Sequence, residues 1–180
     1  MDQQLKGKRI AFVMANEGVE QVELTEPWKA VREAGGEPTL VATDPGKVQA
    51  FDHLDKADVF EVDLTTAAAD PSAFDGVVLP GGVANPDQLR GDEDAVAFVR
   101  DFLRTGRPLA AICHAPWTLV EADVVDGRRM TSWPSLRTDL RNAGADWVDE
   151  EVVVDGNLIT SRKPDDLPAF CRAVVDAMAA

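Results

Sequence analysis

Short apolar runs alternate with amphipathic stretches along this 180-residue chain. The continuous apolar runs are typical of parallel strands buried on both faces, and they lie at residues 8–14, 38–42, 76–79 and 109–112. Hydrophobic residues recur at helical spacing in residues 19–34, 92–105, 115–122, 133–143 and 166–178. Strands that alternate with helices predict an α/β fold, in which helices cover both faces of a mostly parallel sheet.

Three local signals modify this pattern. Pro27 falls inside the first helical stretch, so we expect a kink or two helical pieces there. Residues 48–52 and 59–62 alternate in polarity and predict a small hairpin, with residues 55–58 between its strands. Strands at residues 147–154 and 158–160 are joined by a tight Asp-Gly turn. No repeat or linker interrupts the pattern, which predicts a single domain over residues 1–180.

Charge and composition exclude several classes of function. A net charge of −14 disfavours binding to nucleic acid and to anionic membranes, whose phosphates would repel the protein. Two cysteines are too few for a disulfide framework and fit a reducing compartment, so with no leader or membrane-spanning run we predict a cytoplasmic protein. No metal-ligand spacing and no phosphate-binding glycine loop occur, so we predict neither a metal nor a cofactor.

Cys113 is the strongest candidate for chemistry. It follows the apolar run 109–112 directly, and Pro116 stands in the first turn of the helix that comes next. A cysteine at such a corner lies at the carboxyl edge of the sheet, where helix N–H groups lower the pKa of its thiol. Free cysteine more often packs as a small hydrophobe. The adjacent His114 and the Pro80–Gly82 turn, at another strand end, favour a nucleophile elbow instead.

A thiol nucleophile needs donors for a developing oxyanion and groups that control protonation. The backbone N–H groups of Gly81, Gly82 and His114 are candidate donors. His114 needs a carboxylate to orient it, and Asp87 is a candidate for that role or for a helix cap.

Four glutamates follow the first strand. Most of them fit a solvated helix face, but one turned towards Cys113 would have a raised pKa and could donate a hydrogen bond to the thiolate. They are Glu17, Glu20, Glu23 and Glu26.

With these residues in place, the chain resembles the PfpI (intracellular protease I) branch of the PfpI/ThiJ superfamily. The matching segments are ANEGVEQVELTEP (15–27), VLPGG (78–82), AICHAP (111–116), TSWPSLRTDLRNAGA (131–145) and EVVVDGNLITSRKPDDL (151–167). The resemblance implies a flavodoxin-like three-layer sandwich, related to that of class I glutamine amidotransferases. The amidotransferase activity itself needs a histidine downstream of His114, and none follows.

The resemblance also implies roles for particular residues. It implies a catalytic Cys113–His114 pair whose acidic member, Asp87, comes from a neighbouring subunit of a homodimer or hexamer. It maps the buried family glutamate to Glu23, and the oxyanion donors to the backbone of Gly82 and His114.

The resemblance also indicates which positions of these motifs bind substrate. Glu20 is the neighbouring acidic position, and Trp133 replaces a tyrosine common in the family, so we assign both to substrate binding. Lys163 also departs from the family, which often has histidine there. Because these departures change the shape of the pocket, substrate preference does not carry over.

Members of the family are described as peptidases, as glyoxalase III-like or deglycase enzymes and as stress proteins. We therefore predict a cysteine-dependent stress-response hydrolase that acts on peptides or reactive carbonyls. The alternative is a redox sensor or chaperone-like protein whose Cys113 is oxidised instead of turning over substrate.

Overall fold

The computed structural model describes residues 3–180 and contains eighteen helices and strands along them. The α-helices are α1 (Gln21–Glu33), α2 (Ala84–Leu89), α3 (Glu93–Arg104), α4 (Pro116–Glu121), α5 (Arg137–Asn142) and α6 (Leu167–Ala179). The strands are β1 (Arg9–Met14), β2 (Glu17–Glu20), β3 (Glu37–Ala42), β4 (Lys47–Asp52), β5 (Asp55–Glu61), β6 (Leu64–Thr65), β7 (Gly76–Leu79), β8 (Leu109–Ile112), β9 (Arg129–Met130), β10 (Asp146–Trp147), β11 (Val152–Asp155) and β12 (Leu158–Ser161).

Seven strands form the central sheet in the order β11-β12-β8-β7-β1-β3-β6. All neighbouring strands in it are parallel except β11 and β12, which form an antiparallel hairpin. The fold is therefore the predicted flavodoxin-like, mostly parallel sheet. Strands β1, β7 and β8 lie side by side near its centre, so the loops at their carboxyl ends meet at one edge, where ligands bind in such sheets.

Helices cover both faces of the sheet because its strands are apolar on both sides. Along β1, Ala11 and Val13 belong to a buried cluster with helices α3 and α4, whereas Phe12 and Met14 belong to a second cluster with α1 and α6. Helix α3 presents Phe98 and Phe102 to the first cluster, and Asp92 caps its N-terminus by accepting a hydrogen bond from the Ala95 N–H at 2.7 Å. The continuous apolar runs correctly predicted this sandwich.

A second, three-stranded sheet lies beside the carboxyl end of β1. Its order is β2-β4-β5, with β2 parallel to β4 and β4 antiparallel to β5. The sequence predicted the β4–β5 hairpin, but its turn is at His53 and Leu54 and not at residues 55–58. Residues 17–20 form strand β2 because they pair with β4, so the predicted start of the first helix at residue 19 is wrong.

Two other helical expectations need correction. Helix α1 is continuous through Pro27, since Leu24 and Val31 on either side of it are anchored in the same buried cluster. The helix predicted over residues 133–143 instead begins as a 3₁₀ turn, Pro134–Leu136, and continues as α5. Trp133 precedes a proline and therefore keeps an extended ψ of 133°.

In the part of the chain that the structure describes, no helix is long and apolar enough to cross a bilayer.

Candidate active site

Cys113 stands between β8 and α4 in a backbone conformation that non-glycine residues rarely adopt, with φ = +66°. Its N–H donates to the carbonyl of Ser161 at 3.1 Å, and its carbonyl accepts from the N–H of Trp133 at 2.9 Å. These two bonds hold the turn from both sides and offset the strain at Cys113. The thiol is 5% exposed and opens into a cavity, which is the predicted elbow geometry.

Glu23 is the carboxylate that turns inward. It extends from the first turn of α1, is fully buried, and accepts a hydrogen bond from the Gly81 N–H at 2.9 Å through Oε2. Its Oε1 has no hydrogen-bond partner among the described residues. Burial and, to a lesser extent, the nearby Glu20 carboxylate raise the pKa of Glu23 to about 8, although the contacts with Cys113 and with the backbone N–H groups of Gly81 and Gly82 lower it. At neutral pH Glu23 therefore holds a proton beside the thiol.

Burial raises the pKa of the Cys113 thiol, and the Glu23 carboxylate raises it further once Glu23 has lost its proton. The backbone N–H groups of Gly82 and His114 lower it, as the elbow geometry predicted, but burial outweighs them. The resting sulfur is therefore a protonated thiol, and reaction requires a group that accepts its proton.

His114 is that group by position. Its Nδ1 lies 3.1 Å from Cys113 Sγ, and burial lowers its pKa to about 4, so the imidazole is neutral and can accept a proton. The ring stacks on Trp133 with centroids 5.5 Å apart and meets Trp117 edge-on at 5.2 Å. Within residues 3–180, its other ring nitrogen makes no hydrogen bond. The histidine is thus fixed by aromatic packing and open to a further partner.

The glycines of the Pro80–Gly82 turn allow close approach of three segments. A Cβ on Gly81 would lie 2.5 Å from Glu23 Oε2 and 2.6 Å from the Cβ of Cys113, and one on Gly82 would collide with the Gly18 carbonyl. Gly82 also has φ = +80°, which favours glycine. The turn thereby brings its N–H groups up to the thiol and carboxyl, as an oxyanion site requires.

Asn85, which the sequence did not indicate as a site residue, is fully buried and stabilises this turn by hydrogen bonds. Its Nδ2 donates to the carbonyls of Pro80 and Gly81, both at 2.9 Å, and its Oδ1 accepts from the Ala15 N–H at 2.7 Å. It ties the carboxyl ends of β1 and β7 together. The only signal for it in the sequence is an asparagine four residues after a Gly-Gly pair.

We expect Asn85→Ala to destabilise the protein by about 3 kcal/mol, because it leaves three buried backbone groups without partners. Urea unfolding of wild type, Asn85→Ala and Asn142→Ala measures this. Asn142 is exposed at the end of α5 and is the matched control. Equal stability of the two variants would show that the network contributes nothing.

A cavity of about 740 Å³ joins the predicted site residues. All seven of them line it: Glu20, Glu23, Gly82, Asp87, Cys113, His114 and Trp133. Asp87 is exposed at the cavity mouth, in helix α2, and its carboxylate makes no hydrogen bond with His114 within residues 3–180 of one subunit. The structure therefore brings the predicted residues to one cavity and leaves His114 without a carboxylate partner from its own chain.

The β4–β5 turn brings a further group to the cavity rim. His53 has no ligand-spaced partner in the sequence, but in the structure its Nδ1 lies 4.0 Å from Glu20 and its Nε2 lies 3.9 Å from Asp52. These three side chains have ligand atoms within 4.8 Å of one another and could hold a metal ion. The Glu20 carboxylate already accepts the His53 backbone N–H at 3.1 Å, so it fixes this turn beside the cavity.

A mostly parallel α/β sandwich with a cysteine at a strand-to-helix turn has the geometry of a nucleophile elbow. The chain belongs to the DJ-1/PfpI family, whose model matches residues 8–177. This confirms the resemblance that the motifs indicated.

Named relatives cover nearly the whole chain. General stress protein 18 of Bacillus subtilis is 45% identical over 167 residues, which are 92% of this chain and 95% of that protein. Deglycase PfpI of Pyrococcus furiosus is 41% identical over 167 residues, 93% of this chain and 97% of that protein. The crystal structure of Drosophila melanogaster DJ-1beta has a TM-score of 0.85 at 30% identity, covering 96% of this chain and 90% of that one.

Proposed function

We propose that this protein is a cysteine-dependent hydrolase of carbonyl defence that converts methylglyoxal, and its adducts with amines, to lactate. The observation that carries the proposal is the cavity itself, in which Cys113 Sγ lies 3.1 Å from His114 Nδ1 and beside the protonated Glu23. The name of one relative, Deglycase PfpI, supports action on such adducts, and the name of General stress protein 18 supports a role in stress.

The first step of the proposed reaction forms a bond between Cys113 Sγ and the aldehyde-derived carbon of the substrate. In an amine adduct the carbon–nitrogen bond breaks, and the amine leaves with the proton that His114 took from the thiol. With free methylglyoxal, that proton goes instead to the carbonyl oxygen. Both routes give the same hemithioacetal. In the addition to free methylglyoxal, the N–H groups of Gly82 and His114 stabilise the negative charge that develops on the carbonyl oxygen.

The second step moves a proton between the two substrate carbons and gives a lactoyl thioester on Cys113. Water then adds to the thioester, releases lactate and restores the thiol, so the overall reaction consumes one water and no cofactor. His114 transfers these protons, and the carboxyl of Glu23 hydrogen-bonds the sulfur when it carries negative charge.

We further propose that Asp87 of a second subunit completes the site, in a homodimer or hexamer. His114 alone is a weak base because burial lowers its pKa to about 4. A carboxylate against its second ring nitrogen would raise that pKa and orient the ring. Three exposed apolar side chains near the cavity mouth fit a contact between subunits there: Leu54, Val83 and Trp133.

Hydrolysis of a defined adduct tests the proposal. N-acetyl-lysine treated with methylglyoxal is offered to wild type, Cys113→Ser and Cys171→Ser, the last changing the only other cysteine. Wild type and Cys171→Ser are expected to release free amine and lactate, and Cys113→Ser neither. Cleavage of an unmodified peptide, with no action on the adduct, would assign a peptidase instead.

Asp87→Ala is expected to lower kcat for the adduct by about 100-fold or more, because His114 loses its orienting carboxylate. Asp94→Ala, an exposed acid in the first turn of α3, is the control. Oxidation of Cys113 by peroxide should proceed at the same rate in both variants. Full turnover by Asp87→Ala would contradict the proposed Cys-His-Asp arrangement, and oxidation without turnover in wild type would favour a redox sensor.

A further inference from the structure

The ionisable side chains that line the cavity are mainly acidic. Four carboxyl groups line it, those of Glu17, Glu20, Glu23 and Asp87. Among residues 3–180, no lysine or arginine side chain lines it. Its two histidines do not cancel this negative charge. His114 is neutral, and His53 is one side chain beside two carboxylates, those of Glu20 and Asp52.

A second observation points to a ligand in this acidic cavity. Glu23 lines the cavity, and its buried Oε1 has no hydrogen-bond partner in the described chain, so the protonated carboxyl is free to donate to an acceptor such as the carbonyl oxygen of a bound molecule. Trp133 also lines the cavity beside His114 and is 37% exposed, and an indole face attracts cations.

We infer that this cavity selects carbonyl compounds that carry a positive charge, as an ammonium or guanidinium group, and rejects anionic ones. The cation lies between the rim carboxylate of Glu17 and the face of Trp133. The carbonyl carbon then meets Cys113. The negative potential of a concave, apolar-walled cavity concentrates cations and repels anions.

The substrate class in this inference rests on the proposed function, but the charge selection can be tested without any turnover. The rates at which methanethiosulfonates of different charge modify Cys113 measure the charge selectivity of the cavity. The sulfur of Cys113 attacks the reagent, forms a mixed disulfide and releases methanesulfinate, so no turnover is needed. The variant Cys171→Ser leaves Cys113 as the sole thiol.

The experiment compares the trimethylammonioethyl and sulfonatoethyl reagents by intact mass at constant ionic strength. Each rate is divided by that of N-acetylcysteine methyl ester with the same reagent. The cation-to-anion ratio is expected to be about 10-fold or more above that of the model thiol. Glu17→Lys should reduce the ratio several-fold, because Glu17 is an exposed carboxylate on the rim.

Asp176→Lys is the matched control, since it changes the net charge equally on the exposed face of α6, away from the cavity. A ratio equal to that of the model thiol would overturn the inference. Equal shifts in Glu17→Lys and Asp176→Lys would also overturn it, because the selection would then come from the overall charge of −14.

Turnover is measured separately with arylglyoxals that bear a para trimethylammoniomethyl or carboxymethyl group. Faster turnover of the cationic compound is expected. If the cation-to-anion ratio for Cys113 exceeds that of the model thiol but neither arylglyoxal reacts, the proposed function fails and the charge selection stands. If both compounds react equally and the thiol ratio is that of the model thiol, the selection fails and the function stands.

Discussion

Gly81→Ala is expected to destabilise the protein by about 3 kcal/mol or more and to abolish turnover. The added Cβ would lie 2.5 Å from Glu23 Oε2, 2.6 Å from the Cβ of Cys113 and 2.7 Å from the carbonyl of Ile112. Two of these atoms belong to the buried side chains of the proposed catalytic site and the third to backbone, so none of them can move aside easily. Urea unfolding and lactate formation measure the two effects.

Gly91→Ala is the control for that substitution. Gly91 lies in the turn before α3, where a Cβ would meet one atom, the Gln88 carbonyl, at 3.3 Å. We expect wild-type activity and a change in the free energy of unfolding of less than about 1 kcal/mol. Normal activity in Gly81→Ala would show that the Gly-Gly turn does not set the geometry of the site.

Glu23→Gln is expected to remove the main pH dependence of stability between pH 5 and pH 8. The pKa of Glu23 is about 8 in the folded protein and 4.5 as its ordinary value. Between these values the folded state holds a proton that the unfolded state has lost, so stability falls as pH rises. The slope is about 1.4 kcal/mol per pH unit for one proton, and it ends above pH 8, where both states are ionised.

The measurement is urea unfolding at several pH values for wild type, Glu23→Gln and Glu26→Gln. Glu26 is exposed on the same helix, so its variant should keep the wild-type slope. The Glu23 variant should also react faster with iodoacetamide above pH 8, because it lacks the charge that raises the pKa of Cys113. An unchanged slope in Glu23→Gln would contradict a protonated Glu23.

The elbow could be predicted because its signals are local. An apolar strand, a cysteine and a proline in the first helical turn follow one another within residues 109–116, and the structure places Cys113 at that corner with φ = +66°. The sandwich was equally predictable, since strands apolar on both faces require helices on both sides.

The inward carboxylate could not be chosen from the pattern alone. The four glutamates of residues 17–26 look alike in sequence, and only the resemblance pointed to Glu23. The structure selects it because Glu17–Glu20 form a strand, so the helix begins at Gln21 and its first turn points Glu23 at Gly81. That strand exists through pairing with β4, a contact distant in sequence.

The positions of Asn85 and His53 at the site could not be predicted, for a related reason. Each acts through tertiary partners, Asn85 through carbonyls of the Gly-Gly turn and His53 through Glu20. Neither residue type carries a periodic or spacing signal. His114 has no carboxylate partner within residues 3–180 of one subunit, so its pairing with Asp87 of a second subunit is a proposal.

Lactate formation from methylglyoxal by wild type, Cys171→Ser and Cys113→Ser is the decisive measurement for the role of Cys113. We expect lactate from the first two proteins at equal rates and none above the uncatalysed background from Cys113→Ser, because Cys113 is the cysteine that faces the cavity, with His114 at 3.1 Å. Lactate formed by Cys113→Ser at the wild-type rate would show that the sulfur at the elbow is not the nucleophile.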